Sequence, residues 1–206
     1  MPLTDAERVD VEKMSSALLC DAMEALKLPQ SVATGFMLMG SPGAKFAGPA
    51  VTLRQVPKTA HDDRAARMTK HRTLSREIAK AGDVVVVDNG GRLNCATWGE
   101  FHGLACRQRG VAGVIIHGAT RDGPEIRDSG LATFVRGLTP LTSKHDLKTV
   151  SINEAVMLGD IEVHPGDIIF ADETGIVVIP AAKKDAVWEK SRELLKAEDA
   201  ERAKVS

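Results

Sequence analysis

Gly82-Asp83-Val84-Val85-Val86-Val87-Asp88 and Val111-Ala112-Gly113-Val114-Ile115-Ile116 frame the stretch whose reading decides the fold. Each is a short apolar run rich in β-branched residues, and the first follows a Gly-Asp turn. A strand that is apolar on both faces must be covered on both, which predicts buried strands of a parallel sheet. Asn89-Gly90-Gly91 breaks the first run. Between the two runs, Thr97 to Arg109 places Trp98, Phe101, Leu104 and Ala105 on an inward helical face, with Gly110 at the C-cap position. Strand, helix and strand in this order form a parallel pair joined by a right-handed crossover.

Toward the N-terminus, Gly48 to Arg54 is a further strand, and residues 29–45, rich in Gly, Pro and Ser, form a long loop. Thr4 and Glu7 have capping-box spacing and open a helix. A second helix carries Leu18, Leu19, Ala22, Met23 and Leu26 on one face, and Pro29 ends it. Residues 60–81 are strongly charged but space Ala65, Met68, Leu74, Ile78 and Ala79 as a helix with a basic outer side. Toward the C-terminus, Gly166-Asp167-Ile168-Ile169-Phe170-Ala171-Asp172 echoes residues 82–88, either as a duplication or as a common turn before a strand. Gly175 to Pro180 is another strand. From Ala181 to the end runs a charged helix with few apolar residues (Val187, Trp188, Leu194 and Leu195), which is expected to contact a neighbouring subunit.

Composition narrows the function. The chain of 206 residues has room for one sizeable core, and a single domain over 1–206 is expected. A net charge of −1 creates no field that draws nucleic acid or an anionic membrane, and the absence of tyrosine removes one stacking platform for bases. Three cysteines without CxxC spacing (Cys20, Cys95 and Cys106) fit reduced thiols in the cytoplasm rather than a disulfide framework. No apolar run approaches the roughly 20 residues that span a bilayer, and the N-terminus is polar and acidic.

The stretch with most chemistry in it is Gly118-Ala119-Thr120-Arg121-Asp122-Gly123-Pro124-Glu125, directly after the second apolar run. Ligands of open α/β sheets collect beyond the C-terminal ends of parallel strands. There Asp122 offers a hard oxygen to Mg²⁺ or Mn²⁺, and Arg121 offers a fork for a carboxylate or a developing enolate. The same two residues could equally stabilise a surface turn. Free N–H groups where the helix opens at Thr97 could hold a small anion, although Thr97 and Glu100 also match a capping box that would satisfy those groups internally. His102 and His117 flank the region without metal-ligand spacing, and His61, Asp62 and Asp63 form a hydrophilic cluster. Cys95 and Cys106 look like buried small residues rather than nucleophiles. There is no nucleophile elbow, phosphate loop or dinucleotide fingerprint.

Taken together, these segments resemble the RraA-like family. Its enzymatic branch holds 4-hydroxy-4-methyl-2-oxoglutarate and 4-carboxy-4-hydroxy-2-oxoadipate aldolases. That branch has an acidic residue, twenty residues, Arg-Asp, two residues and a further Asp or Glu, which here are Glu100, residues 101–120, Arg121-Asp122, Gly123-Pro124 and Glu125. Ser15–Asp21, Gly48–Thr52 and Gly175–Pro180 share the resemblance, while Arg54–Ala81 is locally unusual. The resemblance implies an α/β fold of the swivelling β/β/α type, with mixed sheets flanked by helices, in a homotrimer or hexamer. It implies that Asp122 binds the metal directly, with Glu100 and Glu125 completing the acidic set and Glu100 holding a water. Arg121 would contact the pyruvyl unit, and backbone through Gly99, Glu100 and Phe101 would bind its carboxylate. An acidic residue from a neighbour's C-terminal helix, Glu198 ahead of Glu193 and Glu201, would complete the site. The implied activity is cleavage of a 4-hydroxy-2-oxo diacid to pyruvate, with oxaloacetate decarboxylation alongside. The family's other branch regulates a ribonuclease, and a complete acidic motif ending in Glu125 argues for the enzyme; a related lyase or hydratase acting on another 2-oxo acid shares the core motif and stays open.

Overall fold

A computed structural model describes residues 2–205. Its strands are β1 (Val32–Ala33), β2 (Met37–Met39), β3 (Phe46–Pro57), β4 (Val84–Trp98), β5 (Gly113–Thr120), β6 (Thr133–Leu138), β7 (Leu147–Ile152), β8 (Val156–Leu158), β9 (Ile161–Val163), β10 (Ile168–Asp172) and β11 (Gly175–Ile179). The helices are α1 (Asp5–Lys13), α2 (Ser16–Ala25), α3 (His71–Thr73), α4 (Glu100–Gln108), α5 (Gly123–Asp128) and α6 (Lys184–Val205). One large mixed sheet runs β1-β11-β10-β3-β4-β5-β6-β2, with β7 on β3, while β8 and β9 pair separately. From β3 to β6 the strands are parallel, and the remaining pairs are antiparallel. The fold is therefore mixed α/β, a large mixed sheet flanked by helices.

Alternation along the strands sorts the core into three layers. Val84 and Val86 of β4 share an inner cluster with Ile169 and Ala171 of β10 and Ile176 and Val178 of β11. Their neighbours Val85 and Val87 turn the other way, onto Cys106 of α4 and Ile126 of α5. Ile168 and Phe170 of β10 turn outward to α1, α2 and α6. Successive side chains of a strand point to opposite faces, so an apolar run is what a two-sided layer requires. β3 joins the two halves: residues 46–49 pair with β10, and residues 50–54 pair with β4. Gly48 stands at this hand-over with the carbonyl oxygen of Gly82 where a β-carbon would be, so no larger residue fits.

Several elements depart from the sequence reading, each for a local reason. The segment 60–81 is not a long helix. The buried ammonium of Lys58 takes the carbonyls of Asp63, Arg64 and Ala66, which removes the acceptors a helix would use there. Only α3 and a π-helical turn, Leu74–Ile78, follow, although Leu74 and Ala79 are buried as the spacing predicts. Asn89-Gly90-Gly91 bends β4 without ending it, through shifts in register against β5 between Asp88 and Trp98. The loop at 29–45 contributes the short strands β1 and β2. α4 opens at Gly99 rather than Thr97, and Phe101 is 64% exposed while Gly103 and Cys106 face the core. The echo between 82–88 and 166–172 is a shared turn. Asp83 accepts from the N–H of Lys80 at 2.8 Å, and Asp167 from that of His164 at 2.9 Å, each after a glycine of positive φ. The strands that follow take different places, β4 parallel to β3 and β10 antiparallel to it.

α6 is better anchored to its own chain than its composition predicts. Val187, Trp188 and Ser191 are fully buried. Trp188 Nε1 donates to Asp10 at 3.2 Å, and Arg192 pairs with Asp10 at 2.7 Å. Lys184 Nζ meets Glu7 at 2.7 Å with both side chains nearly buried. Burial alone would raise the Glu7 pKa, but the Lys184 hydrogen bond and the Thr4 capping box outweigh it and hold the group below its ordinary 4.5. Lys184 is held above its ordinary 10.5, chiefly by its hydrogen bond to Glu7. The depressed carboxyl contributes stability above pH 4.5 that is lost as pH falls through the folded pKa. The raised ammonium contributes below 10.5, and that share is lost as pH rises through its folded pKa. Lys184→Met should therefore cost about 3 kcal/mol at neutral pH, because Glu7 is left charged and buried. The penalty should shrink in acid, where Glu7 protonates. Urea unfolding of both proteins at neutral pH and below pH 4.5 measures this, and equal midpoints at neutral pH would show that the pair does not hold α6.

Candidate functional site

The site is built where β5 ends. Thr120 is fully buried, and the chain then turns sharply through Arg121 and Asp122 into α5. Asp122 lies in the left-handed region at φ 57°, a conformation that costs a non-glycine residue energy and that aspartate tolerates better than most. Gly123 and Ile126, both buried, fix the turn from behind. Although Asp122 occupies the N-cap of α5, its side chain makes no capping bond there. Instead, Oδ2 accepts the backbone N–H of Glu100 at 3.2 Å and lies 3.4 Å from Arg121 Nε. The opening turn of α4 thus holds the carboxylate of Asp122, where its free N–H groups and dipole favour negative charge. A β-carbon on Gly99 would lie 2.7 Å from that oxygen. Among the described residues Oδ1 has no partner.

A cleft of ≈ 90 Å³ opens beside this pair, lined by Trp98, Gly99, Phe101, Arg121 and Asp122 together with Arg67, His71, His102 and Lys144. The two imidazoles pack edge to face with centroids 4.4 Å apart, and His102 lies 5.1 Å from the Trp98 ring. Burial, then the charge of Arg67, pushes His71 down to about 4. Burial, His71 and the surrounding arginines push His102 down to about 3. Both are neutral at physiological pH. Thr97 donates its hydroxyl proton to Gln55 Oε1, which turns the Gln55 amide N–H₂ toward His71 Nδ1 at 3.2 Å. Since that amide nitrogen only donates, Nδ1 accepts, and His71 carries its proton on Nε2.

The structure brings some of the predicted residues together and separates others. Gly99, Phe101, Arg121 and Asp122 line one cleft. Glu100 contributes its backbone N–H, and its half-buried side chain stands outside the lining. Glu125 is exposed on α5 and borders a separate, shallower depression of ≈ 350 Å³ that also touches Arg121 and Asp122. The acidic set implied by the family resemblance is therefore not one cage, and among the described residues no three His, Cys, Asp or Glu are grouped to hold a metal ion. Mg²⁺ takes one or two carboxylates and keeps several waters, so a single carboxylate with an unpaired oxygen, as at Asp122, fits it. Glu198, Glu193 and Glu201 pair along their own helix with Arg202, Lys190 and Lys204. None of the three lines either depression.

The remaining candidates have structural partners. His117 is buried between Asp88 at 3.2 Å, the Met157 carbonyl at 2.9 Å and the Gly159 N–H at 3.3 Å, which docks β8 and β9 onto the sheet. Asp62 is latched to Lys148. His61 is exposed. Cys95 and Cys106 are buried thiols, and burial pushes Cys106 up to about 12. The sequence reading missed Arg67, His71 and Lys144. A basic side was the only sign of the first two, and nothing in the Thr142-Ser143-Lys144 turn marks the third.

Comparisons with known proteins bear on the family and the fold. No helix among the described residues is long and apolar enough to cross a membrane. Protein DlpA of Legionella pneumophila is 28% identical over 179 residues, 86% of this chain but 28% of DlpA, so the chain spans little more than a quarter of that relative. A protein of Aromatoleum aromaticum, provisionally named 4-hydroxy-4-methyl-2-oxoglutarate aldolase, is 36% identical over 168 residues, 81% of this chain and 96% of that one. The crystal structure of Streptomyces coelicolor RraAS2, described as an unusual member of the RNase ES inhibitor RraA family, matches with a TM-score of 0.83 at 26% identity and covers 98% of each chain. The profile of the RraA-like family, Aldolase/RraA, matches residues 16–178, and the chain belongs to that family.

Proposed function

We propose that this protein is a divalent-metal-dependent lyase that cleaves a 4-hydroxy-2-oxo diacid to pyruvate and a second 2-oxo acid, with oxaloacetate decarboxylation as a side reaction. The observation that carries the reading is the Arg121–Asp122 pair, an oriented fork beside a carboxylate with one committed and one unpaired oxygen. The aldolase name of the Aromatoleum relative supports the direction of the chemistry. Bound at Asp122, Mg²⁺ or Mn²⁺ would supply Lewis acidity at the 2-oxo group.

The chain's own residues do the rest. Arg121, one nitrogen turned to Asp122, offers its other N–H groups to the substrate carboxylate and to the oxygen that gains charge as the carbon–carbon bond breaks. The 4-hydroxyl proton would leave through water, relayed by Glu100 and by Glu198 of a neighbouring copy in a trimer or hexamer. Loss of carbon dioxide from oxaloacetate produces the same pyruvate enolate, so the same donors serve it.

Pyruvate release from oxaloacetate and from 4-hydroxy-4-methyl-2-oxoglutarate should require Mg²⁺ or Mn²⁺ and stop with chelator. In Asp122→Ala it should fall by roughly 100-fold or more, the order expected when a transition-state contact is removed. Release that is insensitive to chelator or to Asp122→Ala would refute the mechanism. A protein that releases no pyruvate and binds no Mn²⁺ would fit a ribonuclease regulator of the RraA type instead. Gly99→Ala, the addition of a single methyl group, should lower kcat/KM by roughly 100-fold, because it displaces the Asp122 carboxylate by a fraction of an ångström or more. Wild-type kinetics in that variant would show that the Gly99–Asp122 contact has no catalytic weight.

A further inference from the structure

We propose that Arg67 and His71 form a second anion subsite in the cleft, which takes the distal carboxylate of a 2-oxo diacid and selects it over a 2-oxo acid with an apolar tail. The proposal rests on the lyase reading for the identity of the first carboxylate, which Arg121 and the backbone at Gly99–Phe101 would hold.

The charge balance of the cleft asks for a second anion. Its lining carries three cations, Arg67, Arg121 and Lys144, against one carboxylate, Asp122. Arg121 is turned partly to Asp122. Neither Arg67 nor the Lys144 ammonium has an ion-pair or hydrogen-bond partner among the described residues, and both line the cleft. His71 adds a neutral donor of fixed tautomer. Gln55 and Thr97, 2% and 1% exposed, set the relay that puts its proton on Nε2. A donor that carries no charge and cannot rotate its proton away suits a carboxylate oxygen beside a guanidinium.

Arg67 is also presented by a built loop. Before it, the Lys58 ammonium gathers the carbonyls of Asp63, Arg64 and Ala66. After it, the Met68 carbonyl accepts from the Thr149 N–H at 3.0 Å, and the Lys70 N–H donates to Thr149 Oγ1 at 2.8 Å. Asp62 is locked to Lys148 at 2.7 Å. Backbone on either side of Arg67 is thus pinned to β3 and β7, while the side chain is left at the cleft. A random surface arginine would need no such frame.

Binding separates the subsite from turnover. Calorimetric titration with 2-oxoglutarate and with 2-oxopentanoate, in the presence of Mg²⁺, compares tails that differ in one carboxylate. Wild-type protein should prefer 2-oxoglutarate by about 10–100-fold, the range of one charge-assisted contact. Arg67→Met should bring that ratio close to one. His71→Leu should lower it, and His71→Gln, which keeps an N–H at the Nε2 position, should restore most of it. No preference in the wild type, no binding of either acid, or an equal loss for both acids in Arg67→Met would overturn the proposal. If the preference depends on Arg67 while no hydroxy-oxo acid releases pyruvate, the subsite stands and the lyase reading falls. Pyruvate release without that preference keeps the lyase reading and removes the subsite.

Discussion

The candidate site depends on one contact, the backbone N–H of Glu100 held by Asp122 Oδ2 at 3.2 Å. To make it, the end of β5 must turn Asp122 into a left-handed conformation and withhold its side chain from the cap of its own helix. The start of α4 must also come so close that residue 99 has no β-carbon. These requirements reinforce one another. A carboxylate at a helix N-terminus is favoured by the unsatisfied N–H groups and the dipole, by the order of 1 kcal/mol in partly buried geometry. That gain is comparable to the cost of the strained φ, so the contact and the strain persist together. What results is an Asp122 carboxylate with one oxygen fixed and the other uncommitted, a better place for a cation than a mobile side chain of the same charge.

Around this contact the cleft is cationic, but burial keeps its two histidines out of the charge count. An imidazolium beside Arg67, Arg76 and Arg121 would be repelled and poorly solvated, and both shifts run downward for those reasons. Positive charge is thereby confined to guanidinium and ammonium groups, which hold it at any physiological pH. The imidazoles act as shaped, neutral polar surface. His71 has its proton placed by a buried glutamine and threonine, and His102 packs on Trp98 and lies 3.1 Å from Ser75 Oγ.

Much of the sheet was legible because a buried strand has few alternatives. Val84–Val87 and Val114–Ile116 are too short and too β-branched for helices and too apolar for an exposed face, and they sit where that reasoning puts them. Arg121-Asp122 was legible as a pair at a strand end. Contacts distant in sequence were not. Phe101 has helical spacing for the core, yet the core face of α4 is filled by Cys106 and Gly103, which leaves Phe101 at the cleft rim. Thr97 has the spacing of a capping residue, but its hydroxyl is taken by Gln55 on β3, 42 positions away. The basic periodicity of 60–81 predicts a helix only while Lys58 is counted as a surface lysine. Once that ammonium is buried, its need for three carbonyls overrides a weak helical preference.

These two outcomes have a common physical basis. Groups that would do chemistry on any 2-oxo acid lie at the ends of β4 and β5, where paired strands and buried side chains leave little freedom. Groups that would distinguish one tail from another, Arg67 and His71, come from the irregular connection between β3 and β4. A loop tolerates substitution better than a central strand, so selectivity can change there without disturbing the Asp122 contact. Such a loop must still hold a charge at a fixed point. Here a buried ammonium does so by gathering backbone carbonyls, which sets the loop's shape while leaving the Arg67 side chain at the cleft. The Lys58 contacts use carbonyls alone, so Arg67 can be exchanged without disturbing them, while Asp62 adds a side-chain latch to Lys148. A loop held in this way is anchored by hydrogen bonds to backbone carbonyls, which is why its position could not be read from residue spacing alone.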